Sequence, residues 1–171
     1  MEQLFHGSRY GEITNKGTKK LIQTFKTYFS KPHIFYDLGS GKGDLSINIA
    51  KLTNASKVYG IELHEERYNI SIKKLKKADV DNVFFINKNI LNLDLSNADI
   101  VYFSNEAIPK NVSHKIWDRL PKGCLLICGR RIKNSETRKK YKWTEPIEKK
   151  CISNEKWIYF SKSQKYIIKE E

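Results

Sequence analysis

The segment Asp37-Leu38-Gly39-Ser40-Gly41-Lys42-Gly43-Asp44 constrains this chain more than any other. It follows His33 to Leu38, a short apolar run that reads as a buried strand. It opens Asp44 to Lys51, where Leu45, Ile49 and then Leu52 recur at helical spacing. Glycines let a backbone turn sharply and lie close to a ligand. A strand, a glycine turn and a helix in succession predict an open sheet whose ligands bind beyond the carboxyl ends of its strands. The spacing is G-x-G-x-G, not the G-x-G-x-x-G of dinucleotide sites. No Lys-Ser/Thr pair of a phosphate loop follows. Asp37, two residues before the first glycine, suits the cationic end of a ligand better than a pyrophosphate.

The rest of the chain repeats the alternation. Lys57 to Leu63, Asn82 to Ile86, Ala98 to Ser104 and Cys124 to Cys128 read as further strands. Glu65 to Ala78 carries Tyr68, Ile72 and Leu75 on one face and lysines on the other, an amphipathic helix. Val112, Ile116 and Leu120 mark a helix stopped by Pro121 and Gly123. Thr18 to Phe29 reads as a helix before the first strand. Glu148 to Ser153 and Lys156 to Ile168 are strand-like, with short polar connections, and predict a closing antiparallel hairpin. Asn134 to Trp143 is a basic connector before it. No repeat or Pro/Gly-rich linker interrupts the chain, so a single domain is expected over 1–171. Its parts would be an N-terminal lid (1–32), a ligand-binding core (33–129) and a basic C-terminal substrate side (130–171).

Other features exclude whole classes. No stretch reaches the roughly 20 apolar residues of a transmembrane helix. Met1 to His6 has no basic and apolar leader pattern. Cys124, Cys128 and Cys151 are odd in number, and the first two sit in an apolar run, so a disulfide scaffold is not expected. His6, His33, His64 and His114 are scattered without ligand spacing, so no metal site is expected.

Glu62 adds the second chemical signal. It lies at the end of the second strand, about 20 residues past the glycine loop, where a carboxylate can accept both hydroxyls of a ribose. The loop and Glu62 together resemble the class I S-adenosylmethionine-dependent methyltransferases. That resemblance implies an α/β, Rossmann-like, doubly wound sheet of seven strands ending in the C-terminal hairpin. It implies S-adenosylmethionine as donor and S-adenosylhomocysteine as product. Asn89 and Ile90 then fall beside the adenine, and Ser104-Asn105-Glu106 at the reactive centre.

Shorter pieces narrow the family. Tyr10-Gly11-Glu12 before a helix, Ala98 to Ala107 with the helix after it, the Pro121-Lys122-Gly123 turn, and Trp157-Ile158-Tyr159-Phe160 resemble the disruptor-of-telomeric-silencing (Dot) histone lysine methyltransferases. This implies that Tyr10 and Glu12 belong to a lid over the donor, with Glu12 on its methionine amino group. Asp37, Gly39, Ser40 and Gly41 would form the methionine-side pocket, and Glu62 would bind the ribose. Asn89 stands where that family has an Asp, Ile90 where it has a stacking Phe. Asn105 would sit at the methyl-transfer end, and Tyr159 would wall a lysine channel. The sequence departs from the pattern at Ser104 and at Glu106-Ala107.

The formal charge is +13, and it is uneven. Residues 37–129 hold 13 basic and 11 acidic side chains, whereas 130–171 hold 13 against 6. A surplus at the ends favours an acidic partner. Arg130, Arg131, Lys139 and Lys140 are the candidate docking residues. The expected partner is a nucleosome or histone H3, with DNA along the basic ends. RNA or a non-histone protein lysine is the alternative, and a non-catalytic binding module of the same fold is the second alternative. A monomer without membrane contact is expected, intracellular and nuclear or chromatin-associated if the histone reading holds. Lysine also outnumbers arginine 26 to 6, a bias that an A/T-rich genome gives without selection for binding. In a large DNA virus the site of action would be the host nucleus or a viral factory.

Overall fold

The computed structural model describes residues 11–105, 107–129, 147–153 and 157–168, the last two stretches as backbone strands. A two-residue strand, β1 (Glu12–Ile13), leads into α1 (Asn15–Thr24) and α2 (Lys26–Phe29). Thr14 caps α1, its side chain accepting from the Gly17 amide at 3.0 Å. The helix expected over Thr18–Phe29 therefore starts earlier and breaks once, at buried Phe25, whose φ of −107° and ψ of 32° leave the helical region.

The core alternates as the periodicity requires: β2 (His33–Leu38), α3 (Asp44–Leu52), β3 (Ala55–Glu62), α4 (Glu65–Leu75), β4 (Val83–Asn87), β5 (Ile100–Phe103), α5 (Lys110–Arg119) and β6 (Leu125–Cys128). Glu65 and Glu66 open α4 and Lys73 and Lys74 close it, matching the helix dipole. Only a one-turn 3-10 helix, Ile90–Asn92, stands between β4 and β5. β7 (Ile147–Ser153) and β8 (Trp157–Ile168) follow.

The eight strands order as β1-β7-β8-β6-β5-β2-β3-β4. β2 to β6 are parallel, while β8 pairs antiparallel with β6 and with β7. The count exceeds the expected seven because β1 pairs antiparallel with β7, Glu12 opposite Ile152 and Ile13 opposite Cys151. Two residues are too few for a period-2 pattern to mark a strand.

Apolar clusters cover both faces of the sheet, which is why β5 and β6 are buried throughout and β2 at all but Ile34. Leu21, Phe35, Leu45, Ile49, Val58, Ile100 and Leu125 fill one face with α1 and α3, and Tyr68 and Ile72 of α4 pack on it. Leu38, Ile61, Val101, Phe103, Leu126 and α5 with Ile116 and Trp117 fill the other. Cys124 and Cys128 are buried there as small apolar groups. Among the described residues no helix is long and apolar enough to cross a membrane.

Candidate active site

The glycine loop connects β2 to α3, at the carboxyl edge of the parallel strands. Gly39 has φ 84° and Gly43 φ 85°, left-handed values that favour glycine. The two glycines serve different ends. A Cβ on Gly39 would meet nothing within 4 Å, so its surroundings are open to a ligand. A Cβ on Gly43 would collide with the Phe85 ring and lie 2.8 Å from Ser71 Cβ, so Gly43 is required by packing.

Every amide of the loop is committed to a protein acceptor. Gly39 and Ser40 both donate to the Ile61 carbonyl, at 2.8 and 2.9 Å, and Gly43 donates to the Ser40 carbonyl at 3.0 Å. Gly41 donates to Glu62 Oε2 at 2.9 Å. Lys42 donates to Glu12 Oε1 at 2.9 Å. A phosphate loop works the opposite way, with its amides turned to the ligand. Here the loop amides are occupied, and carboxylates supply the local charge.

Three of those carboxylates surround the loop. Asp37 and Glu62 are buried, and Glu12 is half-buried. Asp37, only 2% exposed, accepts a hydrogen bond from Ser46 Oγ at 2.8 Å. Burial pushes its carboxyl up to about 7; the Ser46 bond opposes this, and the nearby charges of Glu12 and Glu62 add to it. The same serine hydroxyl therefore cannot compensate the loss of water. Glu62 ties two loops together, since its Oε1 accepts from the His64 amide at 2.8 Å while Oε2 holds Gly41. A carboxylate has about four lone-pair sites, so a diol can still be accepted there.

These groups border a cavity lined by Gly11, Glu12, Ile13, Asp37, Gly39, Ser40, Gly41, Leu45, Tyr102 and Ser104. The Ser40 hydroxyl, buried beside it, has no hydrogen-bond partner among the described residues. An orphaned hydroxyl, an open glycine and an uncompensated carboxylate fit a ligand that carries positive charge and polar groups together.

Most of the predicted pocket residues thus converge: Glu12, Asp37, Gly39, Ser40 and Gly41 on the cavity, and Glu62 on the loop. Asn89 and Ile90 follow β4. Asn89 Oδ1 accepts from the Leu91 amide at 2.9 Å, capping the short helix, and Ile90 packs against the second core cluster. Asn105 follows β5. It is 0% exposed, and its Nδ2 donates to Ser113 Oγ of α5 at 3.4 Å, while its neighbour Ser104 lines the cavity. Tyr159 lies in β8 opposite Cys151. Tyr10, Glu106, Arg130, Arg131, Lys139 and Lys140 lie outside the described residues.

Tyr102, Leu45 and Ser46 were not singled out from sequence. Tyr102 had a usable signal: it stands in register with Asp37 on the neighbouring strand and so shares its face. Ser46 is recognisable only once α3 is known to pack under β2. Among the described residues no group of three His, Cys, Asp or Glu side chains could hold a metal ion.

A parallel sheet with this order, a glycine loop after its central strand and an acid at the next strand end define the fold of the S-adenosylmethionine-dependent methyltransferases. An RNA methyltransferase from Salinibacter ruber, crystallised with S-adenosylhomocysteine, superposes with a TM-score of 0.66 at 17% identity, covering 94% of both chains. A methyltransferase from Thiobacillus denitrificans, crystallised with the same compound, gives 0.58 at 16% identity, over 68% of this chain and 48% of that one. A family model described as a methyltransferase domain matches residues 31–152, and the chain belongs to that family. A protein-lysine N-methyltransferase of Saccharolobus islandicus is 31% identical over 93 residues, which is 54% of this chain and 56% of that protein. A ribosomal protein L11 methyltransferase of Caldanaerobacter subterraneus is 30% identical over 95 residues, 56% of this chain and 30% of that protein. The match thus spans about half the length of the first relative and under a third of the second.

Proposed function

We propose that the protein transfers a methyl group from S-adenosylmethionine to a protein lysine. The observation that carries the donor half is the inverted loop: amides 39–43 are bonded within the protein, and Glu12, Asp37 and Glu62 surround them. Such a site attracts a ligand with ammonium and sulfonium charges. Asp37 and Glu12 face its cationic end, Ser40 offers an unused hydroxyl, and Glu62 accepts the ribose hydroxyls.

The bound donor supplies an activated methyl group, so the chain needs no nucleophile of its own. Its task is to orient donor and acceptor and to exclude water. Ile13, Leu45 and Tyr102 give the cavity apolar walls beside its carboxylates. A lysine must lose its proton before attack, and an apolar approach disfavours the ammonium form. Tyr159 on β8 is our candidate for the channel wall.

The lysine half rests on the Saccharolobus relative, whose name is protein-lysine N-methyltransferase. A nucleosomal histone, as the Dot resemblance implies, is the narrower form of this proposal. The basic ends of the chain, including Arg130, Arg131, Lys139 and Lys140, would hold such an acidic assembly. A labelled-methyl assay on nucleosomes, free histones, ribosomal proteins and total RNA tests it. Label in protein, retained as methyl-lysine after hydrolysis, supports the proposal, and the labelled fraction identifies the partner. Label in RNA alone overturns the lysine assignment. Tight donor binding without any acceptor overturns transfer altogether.

A further inference from the structure

We propose that two copies of this chain pair through the β4 edge to form a continuous sheet. The inference does not depend on the reaction. β4 ends the strand order, so one side of it is bonded to β3 and the other has no strand beside it among the described residues. Natural edges are usually protected by an inward charge, a proline or a bulge. β4 reads Val83-Phe84-Phe85-Ile86-Asn87, with none of these, and its pairing with β3 shows no register shift. Its ends are also fixed. Asn82 Nδ2 donates to the Ala55 carbonyl at 2.7 Å, and Asn87 Nδ2 donates to the Glu62 and Leu63 carbonyls at 2.9 and 3.0 Å. The edge is held straight and regular before any partner arrives.

The hydrogen-bond parity settles how a partner would fit. Val58 N donates to the Asn82 carbonyl, and Lys88 N donates to the Glu62 carbonyl. Even-numbered peptide groups of β4 therefore point toward β3, and the amides of Val83, Phe85 and Asn87 point outward. A two-fold axis at Phe85 matches these outward groups with themselves: Phe85 meets its counterpart, and Val83 meets Asn87 of the second copy. Phe84 and Ile86 then become the directly opposed pair without hydrogen bonds, where antiparallel side chains come closest.

That pairing meets a need of the isolated chain. Phe84 is 43% exposed. It continues a row of rings across the sheet, Tyr36 to Tyr59 at 4.8 Å and Tyr59 to Phe84 at 5.5 Å between centroids. The row lies open because the link from β4 to β5 carries only the one-turn helix. A second copy would extend it with Ile86 on the same face. The strand ends are complementary as well: exposed Asp79 and Asp81 precede β4 and exposed Lys88 follows it, so antiparallel pairing sets each lysine beside the opposite acidic end. A self-complementary patch of this kind produces a closed two-fold dimer. The proposed assembly is a weak dimer in place of the monomer expected from sequence, since a five-residue strand pair gives less area than a standard interface.

Sedimentation of the full chain from about 10 to about 500 µM is the test, with affinity expected in the range of small interfaces. The mass should rise from monomer toward dimer and go no further. Amide exchange read residue by residue should show Val83, Phe85 and Asn87 gaining protection with concentration, while the inward Ile86 amide does not. Phe84→Lys should stay folded, melting slightly lower for the lost Tyr59 ring contact, keep donor affinity and lose the dimer at every concentration. A monomer throughout, a dimer without the alternating protection, or a dimer that survives Phe84→Lys would each overturn the proposal.

Discussion

Replacing Asp37 with Asn should make the free protein more stable and the donor site useless, and the size of the first effect should depend on pH. Asp37 is buried, and its carboxyl sits at about 7 against an ordinary 3.8. Each unit corresponds to about 1.4 kcal/mol, so keeping the ionised form in the fold costs up to about 4 kcal/mol. The acid is raised on folding, so the folded state holds the extra proton between about 4 and 7. Its contribution is therefore most favourable at low pH and is lost as pH rises through about 7. Asn carries no charge and can still accept the Ser46 hydroxyl. The variant should gain roughly 2 kcal/mol over the native chain at pH 5 and about 4 kcal/mol above pH 7.5. At 171 residues each kcal/mol is worth about 2–4 °C of melting temperature. Denaturant titrations at pH 5 and 8.5 give the two differences. Calorimetry should show S-adenosylmethionine binding weakened by roughly 2–5 kcal/mol, because an opposed charge pair is removed. In the native chain, donor affinity should fall toward about tenfold per pH unit below 7, as the ligand must displace the proton. A gain of equal size at both pH values, or a variant that binds the donor as well as the native chain, would refute the reasoning.

Glu62→Gln replaces one carboxylate oxygen by a donor that opposes an amide. It should destabilise by about 1–3 kcal/mol and weaken donor binding, checked by melting and calorimetry. Gly43→Ala forces a side chain into a left-handed φ of 85° against Phe85 and should cost about 3 kcal/mol or more, whereas Gly39→Ala, with open space around it, should melt closer to the native chain yet bind donor less well. His33 is buried, its Nδ1 on the Lys31 carbonyl at 2.7 Å and its Nε2 without a partner among the described residues, and burial lowers its pKa below 6.5. A lowered base binds fewer protons when folded, so its stability is complete above 6.5 and drains as pH falls below it. His33→Leu should flatten that part of the acid unfolding curve, and an unchanged curve would remove His33 as its source.

The alternation of strands and helices was legible because each element is long enough to show its period, and because burial on both sheet faces gives apolar runs such as Phe35 to Leu38 and Leu125 to Cys128. β1 was not, since two residues have no period and gain their pairing only from β7, about 140 residues later. The loop's ligand preference was half legible. Asp37 and Glu62 were visible as acids at strand ends. Their use was not, because it depends on contacts between residues 21 and 30 positions apart, Gly41 with Glu62 and Lys42 with Glu12. Asn105 shows the limit from the other side. It follows β5, where the strict in-and-out alternation of a strand stops holding. Position in a motif then no longer fixes direction, and the side chain turns to Ser113 while Ser104 reaches the cavity.

That limit also bears on the charge of the core. Residues 37–129 hold 13 basic and 11 acidic groups, a balance that composition alone reads as bland. Position decides otherwise. Of the acids, Asp37 and Glu62 are buried at the glycine loop, while the Lys42 main-chain amide donates to Glu12. Lys74 meets Asp44 at 2.5 Å in a half-buried pair away from the loop carboxylates. Solvent weakens surface charges, whereas the buried acids act in a medium of lower dielectric. Two buried acids therefore stand at the glycine loop of a chain of net charge +13. The arrangement carries a cost to the free protein, visible in the raised Asp37, and a bound cation relieves it. Stability gained on donor binding should then exceed what contact area alone predicts, and should shrink below pH 7, where Asp37 is already protonated.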